Sequence, residues 1–264
     1  MKHADLPTVI LMAAMFTTIL VCLWRARRGR LAYVRRIAGI DAIEEAIGRA
    51  TEMARPVIFG MGWTDIRQIE THAALSILGH VARLTARMNT ELIALVRQPN
   101  VYPVTEEIIR EAYIAEGVPD RFNADEQVRF LSQDSVVYAM GASRLIEETG
   151  AGCALFFGAF DFTSLLMAEP GARLGVLQIA GDPTLWQMPF FVCTCDYTII
   201  GEEYFAAGAY LSPDPTARGA LLSQDIIKLI FAGLLVAGTL CMLLPQWDGW
   251  PQTWVVDLLT SYAR

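Results

Sequence analysis

The sequence predicts an α/β domain, a Rossmann-like and mostly parallel sheet with helices on both faces, flanked by two transmembrane helices. Three observations carry this. Two long apolar runs, Leu6–Trp24 and Ile226–Leu244, lie near the ends of the chain. Between them short β-branched runs alternate with longer helical ones, the signature of an α/β layer. The expected strands are apolar on both faces, as in a sheet covered on both sides.

Composition sets the outer bounds. The 264 residues are 54% hydrophobic and 19% charged, against about 45–50% and about 25% in an ordinary soluble domain. An apolar excess with depleted charge excludes a disordered chain, and the lack of a G-X-Y period excludes a collagen. A formal net charge of −7 argues against a nucleic-acid binder, because phosphate contact needs local positive charge. Five scattered cysteines imply no disulfide framework.

The first run, LPTVILMAAMFTTILVCLW, holds no charge in 19 residues. As a helix it reaches roughly 28 Å, close to the hydrocarbon thickness of a bilayer. Uncharged runs of this length are rare in soluble cores. A cleaved signal peptide carries its basic residues before the apolar run; here they follow it, as Arg25, Arg27, Arg28, Arg30, Arg35 and Arg36, with no acid before Asp41. The positive-inside rule then places Arg25 onward in the cytoplasm and Met1 outside. Arg25, Arg27, Arg28 and Arg30 are expected to meet anionic lipid.

Ile40 to Ala54 follows with apolar residues at Ile40, Ile43, Ala46, Ile47 and Ala50, a helical period, and is expected to form a stalk that ends before Pro56. Strands are then expected over 56–61, 91–96, 127–131, 151–157 and 174–179. Helices are expected over 67–88, 104–116, 135–148 and 162–167. Thr105 is the expected N-cap of the second of these, with Glu106 and Glu107 in its first turn. Residues 184–211 read as largely helical with a break at Pro189. Leu155, Phe156, Phe157 and Leu177 are the expected centre of the core.

The second run, IIKLIFAGLLVAGTLCMLL, carries only Lys228, near one end, where a long side chain can snorkel to the interface. It returns the chain outward. The tail holds Trp247, Trp250, Trp254 and Tyr262, rings that favour the headgroup zone or a partner's surface. The expected organisation is a membrane helix over 1–24, a basic segment and stalk over 25–55, a cytoplasmic α/β domain over 56–223, a second membrane helix over 224–245 and an external aromatic tail over 246–264. Such a chain is two-pass, with both termini outside.

In open α/β sheets, ligands collect beyond the carboxyl ends of the strands. The loops there are 60–65 (GMGWTD), 97–103 (RQPNVYP), 132–135 (SQDS), 158–162 (GAFDF) and 180–185 (AGDPTL). Four carry an aspartate: Asp65, Asp134, Asp161 and Asp182. Oxygen ligands at an acidic crevice suit a divalent cation; aspartate between a strand and a helix also caps the helix start. Gly60 and Gly62 invite comparison with a dinucleotide loop, but G-x-G-x-x-G would need glycine where Asp65 stands. These six residues are the candidate cofactor-binding positions, with no cofactor identified.

Catalytic signatures are absent. There is no Walker A, G-x-S-x-G or H-E-x-x-H sequence. His72 and His80 stand eight residues apart, too far to chelate one ion as an i, i+4 pair. Cys193 and Cys195 form C-x-C rather than C-x-x-C and read as small packing residues.

The stretch 193–214, CTCDYTIIGEEYFAAGAYLSPD, is the most individual part. Asp196, Glu202 and Glu203 punctuate it, and Gly201, Ala206, Ala207, Gly208 and Ala209 permit close helix approach, against the sheet or against another subunit. With its flanking membrane helices, this segment resembles an uncharacterised family of prokaryotic membrane proteins, known only as a domain of unknown function. The resemblance implies a cytoplasmic-membrane location and supplies no catalytic residues. Two function classes follow. One is a membrane-anchored structural or assembly protein, self-associating or serving a larger membrane complex. The other is a membrane-tethered ligand-binding or enzymatic domain acting at the strand-end loops.

Overall fold

The computed structural model describes residues 6–28, 38–211 and 215–243. The tail over 246–264, with Trp247, Trp250, Trp254 and Tyr262, lies outside the described residues, as do Arg30, Arg35 and Arg36. The chain divides into two compact units, 1–33 with 214–264, and 34–213.

The first unit is a helical pair, α1 (Leu6–Arg27) and α10 (Pro215–Leu243). Both are long and apolar enough to cross a membrane, over Val9–Arg27 and Gly219–Leu240. Neither is a core helix: only 11% and 6% of these windows are buried. Small residues make the seam. Cys22 and Ala26 of α1 are buried, and a Cβ on Gly219 of α10 would lie 2.7 Å from the Ala26 Cβ and 3.2 Å from the Cys22 carbonyl. The last turns of α1 therefore meet the first turns of α10. Polar hydroxyls are satisfied within each helix: Thr17, Thr18 and Thr239 donate to the carbonyls of Ala13, Ala14 and Leu235.

The second unit is a six-stranded, wholly parallel sheet in the order β3-β2-β1-β4-β5-β6. The strands are β1 (Val57–Met61), β2 (Leu92–Val96), β3 (Val128–Phe130), β4 (Cys153–Phe157), β5 (Leu177–Asp182) and β6 (Tyr197–Ile200). β1 and β4 pair in register from Val57↔Cys153 to Met61↔Phe157. Every residue of β1, β2 and β4 is buried, so alternate side chains feed two cores. Val57, Phe59, Leu155 and Phe157 face α2 (Ala38–Glu52), α3 (Ile69–Met88), α4 (Tyr102–Ala115) and α9 (Glu202–Leu211). Ile58, Ile93, Ala154 and Phe156 face α6 (Ser135–Thr149), α7 (Ser164–Leu174) and α8 (Met188–Thr194). A four-residue helix, α5 (Ala124–Gln127), is capped by Asn123 and leads into β3.

Helix ends follow their local chemistry. Asp134 caps α6 by accepting from the amides of Val136 and Val137. Gly150 and Gly175 close α6 and α7 in left-handed conformations, and Asn89 does so for α3.

Several expectations change. α2 is not a stalk: Ile43, Ala46, Ile47 and Ala50 are fully buried in the core of the second unit. Thr105 does not cap α4. That helix starts one turn earlier, with Pro103 in its first turn, and Thr105 lies buried inside it, donating to the Val101 carbonyl. Residues 184–211 are not one broken helix, because β6 separates α8 from α9 and Pro189 starts α8 rather than breaking it. α7 continues to Leu174, four residues past Pro170. Leu155, Phe156 and Phe157 are buried; Leu177, at the start of β5, is half-buried.

Candidate functional site

The strand order reverses between β1 and β4, so the carboxyl ends of these two strands mark where a doubly wound sheet binds ligands. Here the gap is closed by backbone. The Gly62 amide donates to the Phe157 carbonyl at 3.3 Å, and the Trp63 amide to the Ala159 carbonyl at 2.9 Å. A Cβ on Gly62 would stand 2.3 Å from the Ala159 oxygen, and one on Gly158 would stand 2.5 Å from the Gly62 nitrogen. Gly158 also holds φ at +142°, open to glycine alone. Gly60 belongs to β1 itself, where the ring of Phe156 occupies the space a side chain would take. The two glycines of the apparent dinucleotide loop thus serve close packing.

The four aspartates are distributed along this edge in separate roles. Asp65 accepts from the Arg67 amide and from Asn100. These bonds, the Arg67 amide foremost, hold its carboxyl below the ordinary carboxylate range. Asp134 caps α6. Asp161 is half-buried, which raises its pKa, yet hydrogen bonds from Ser135, Thr163 and Arg97 outweigh burial and leave it lowered. Asp182 is fully buried. It accepts from the amides of Phe160 and Thr184 and from the Thr184 hydroxyl, and burial holds its carboxyl above the usual range.

Arg97, Ser135 and Thr163 complete the cluster. Arg97 follows β2 and donates to Asp161 at 3.0 Å, to the Ser135 hydroxyl at 2.5 Å and to the Gln133 carbonyl at 3.0 Å. Ser135 donates in turn to Asp161 at 2.5 Å. Gln98 donates to the Trp63 carbonyl, and the Gly158 amide to the Gly181 carbonyl. Each of the five strand-end loops is therefore bonded to a neighbour. The sequence offered one signal for Arg97, a lone base directly after a strand and facing four acidic loops.

A small cavity stands at this edge. The cavity among Met61, Thr64, Thr71, Arg97, Gln98 and Gly158 holds about 10 Å³, room for about one water molecule. Among the described residues, no three His, Cys, Asp or Glu side chains converge as a metal set. His72 is exposed on α3, and His80 is half-buried, its pKa lowered first by burial and then by Arg83. Cys193 is exposed rather than packed. Burial pushes the Cys195 thiol up to about 12.

The small residues of α9 have a partner inside the domain. A Cβ on Gly208 would meet the Cβ of Ala73 at 2.9 Å, so α9 lies directly on α3. Tyr204 anchors the same contact by donating to the Glu70 carbonyl at 2.6 Å.

A family model described as a domain of unknown function (DUF6754) matches residues 1–249. No curated protein matches the chain, and no solved structure does.

Proposed function

The chain belongs to this family, DUF6754, and from that premise we propose that it is a membrane-anchored structural or assembly protein. In this reading α1 and α10 cross the cytoplasmic membrane of a prokaryote, the α/β domain lies in the cytoplasm, and both termini lie outside. The domain holds the chain in a complex, with copies of itself or as an accessory subunit, and runs no chemistry at its strand ends.

One observation carries this reading. At the reversal of strand order, Gly62 is bonded to the last carbonyl of β4 and Trp63 to the backbone after it, and the neighbouring polar groups bond one another. A ligand there would have to separate two strand-end loops and break the Arg97–Asp161 ion pair. Asp65 adds a carboxylate where a phosphate would need positive charge.

The membrane part rests on the helical pair. Few residues of either apolar window are buried in the protein. The end of α1 and the start of α10, which lead to the domain, lie side by side, as two spans entering from one face require. Arg25, Arg27 and Arg28 gather at that end, the Arg28 guanidinium 3.8 Å over the Trp24 ring, where basic residues favour the cytoplasmic side and anionic lipid.

Native mass spectrometry after mild detergent extraction tests the function. The reading expects several copies or a second protein. A single copy carrying a small molecule, lost in Asp161→Asn, would favour the ligand-binding alternative. A reporter fused after Arg264 tests topology, with activity outside expected and activity confined to the cytoplasm contradicting it.

A further inference from the structure

The helical pair carries an acid and a base inside one of its apolar windows. Asp225 and Lys228 of α10 fall within Gly219–Leu240. By sequence alone they stand at the start of a run that opens at Ile226. The contact with α1 sets both deeper. Gly219 lies against Cys22, Leu23 and Ala26, at the level of Trp24 and Arg25, where the uncharged run of α1 ends. At about 1.5 Å per residue, Asp225 stands roughly 9 Å and Lys228 roughly 14 Å further along α10. Half the thickness of a hydrocarbon core is about 15 Å. Ionisable groups at such depth face a protein partner or a water-filled path rather than lipid.

Helical period puts both on the side turned away from α1. Gly219, Ser223 and Gly238 are buried and share one side of α10. Asp225, Lys228, Ala232 and Thr239 are exposed and fall within about 60° of one another on the opposite side. Asp225 marks one flank of this stripe and Lys228 the other, with Ala232 and Thr239 between them. We propose that the stripe is a dimer seam, taking the same stripe of a second copy of the chain across a two-fold axis along the membrane normal. The proposal rests on the reading of an assembly protein with two membrane spans, and names the surface through which it assembles.

Three features fit a second copy. The first is charge. One acid and one base make the stripe complementary to itself. A two-fold axis sets opposite flanks side by side, so Asp225 of each copy faces Lys228 of the other. A helix bearing one sign of charge would leave the opposite sign uncompensated in hydrocarbon. α1 supplies no counter-charge over 6–24. Pairing within one α10 is not sufficient either. A carboxylate offers about four acceptor sites and an ammonium three donors, and most of these would still face lipid.

The second is depth. Copies inserted in one orientation run their α10 helices parallel. Asp225 and Lys228 then differ in depth by about 4.5 Å, within reach of a lysine side chain. The third is close approach. Ala232 and Thr239 stand nearest the axis, and small side chains there let two backbones come together. The Thr239 hydroxyl already donates to the Leu235 carbonyl, so it brings no unsatisfied donor into the seam.

The test uses the full chain, in native membranes and in phosphatidylcholine vesicles at increasing lipid-to-protein ratio. Ala232→Cys is oxidised with copper phenanthroline and the linked peptides are read by mass spectrometry. A link between two copies through position 232 is expected. None is expected for Leu234→Cys, an exposed residue pointing away from the stripe. Asp225→Lys and Lys228→Asp should each weaken self-association about tenfold, and the two together should restore it to within about threefold. Should a single reversal fail to insert, the crosslink in the otherwise native chain still decides. Several copies by native mass spectrometry with no link at 232, linking at 234 as readily as at 232, or a double reversal no tighter than the single ones would overturn the seam and leave the assembly reading standing. A link from 232 to a different protein would also overturn it. A single copy without any partner would overturn the assembly reading as well, and release of the chain from membranes by alkaline carbonate would overturn the two-span reading.

Discussion

The Trp63 amide donates to the Ala159 carbonyl at 2.9 Å, extending the contact between β1 and β4 beyond the ends of both strands. In a doubly wound sheet these two loops ordinarily diverge and leave a crevice. In this protein the main chain itself fills the gap.

Closure of this kind tolerates no side chain. Gly62→Ala is expected to cost about 2–4 kcal/mol, because the new methyl would face a backbone oxygen that is already bonded. Gly48→Ala on α2 is the control. Nothing lies within 4 Å of its added methyl, so it should be neutral or stabilising by up to about 1 kcal/mol. Thermal and denaturant unfolding in detergent separates the two.

Gly208 and Ala73 provide a second check. Gly208→Ala should destabilise by about 1–3 kcal/mol through overpacking against α3. Ala73→Gly should return part of that loss, giving a favourable coupling in a double-mutant cycle. Oligomeric state by size-exclusion chromatography should not change, since the partner of this surface is α3.

Acid sensitivity follows from Asp161. Its folded pKa is lowered by Ser135, Thr163 and Arg97 against the effect of burial. Its stabilising contribution is therefore present above the unfolded carboxylate value and is lost as pH falls through the folded one. Asp161→Asn should lower stability at pH 7 by about 1–3 kcal/mol and make the acid limb of a melting-temperature profile shallower. Asp182, raised by burial, has the opposite sign: protonation as pH falls favours the folded state.

Phe156 tests the core. It is fully buried, stacks on Phe191 and meets Phe160 edge-on. Phe156→Ala should cost about 3–5 kcal/mol, read as a fall in melting temperature.

Much of the fold was legible because its strands are buried on both faces. Runs such as VIFGM, LIALV and CALFF are apolar, short and punctuated by turns, and each became a strand. β6 escaped notice because YTII lies between two apolar helices, where four residues add no period of their own. α2 read as a stalk because its amphipathic pattern is the same whether its apolar stripe meets a sheet or a membrane surface. The aspartates were visible at strand ends, since that position is local. Their partners were not, because Arg97 and Asp161 meet across 64 residues of chain, and no periodicity encodes such a pairing.

The small-residue seam between α1 and α10 has a consequence in time. Ala26 and Gly219 touch, yet the ribosome adds about 190 residues between them. At about 5–20 residues per second, the first helix waits roughly 10–40 s for the second. During that interval the face carrying Cys22 and Ala26 has no mate, while the α/β domain takes shape beyond it. A slow codon stretch or a truncated message would leave α1 alone with an open docking stripe, the state in which an insertion chaperone or a stray helix from another chain would find it.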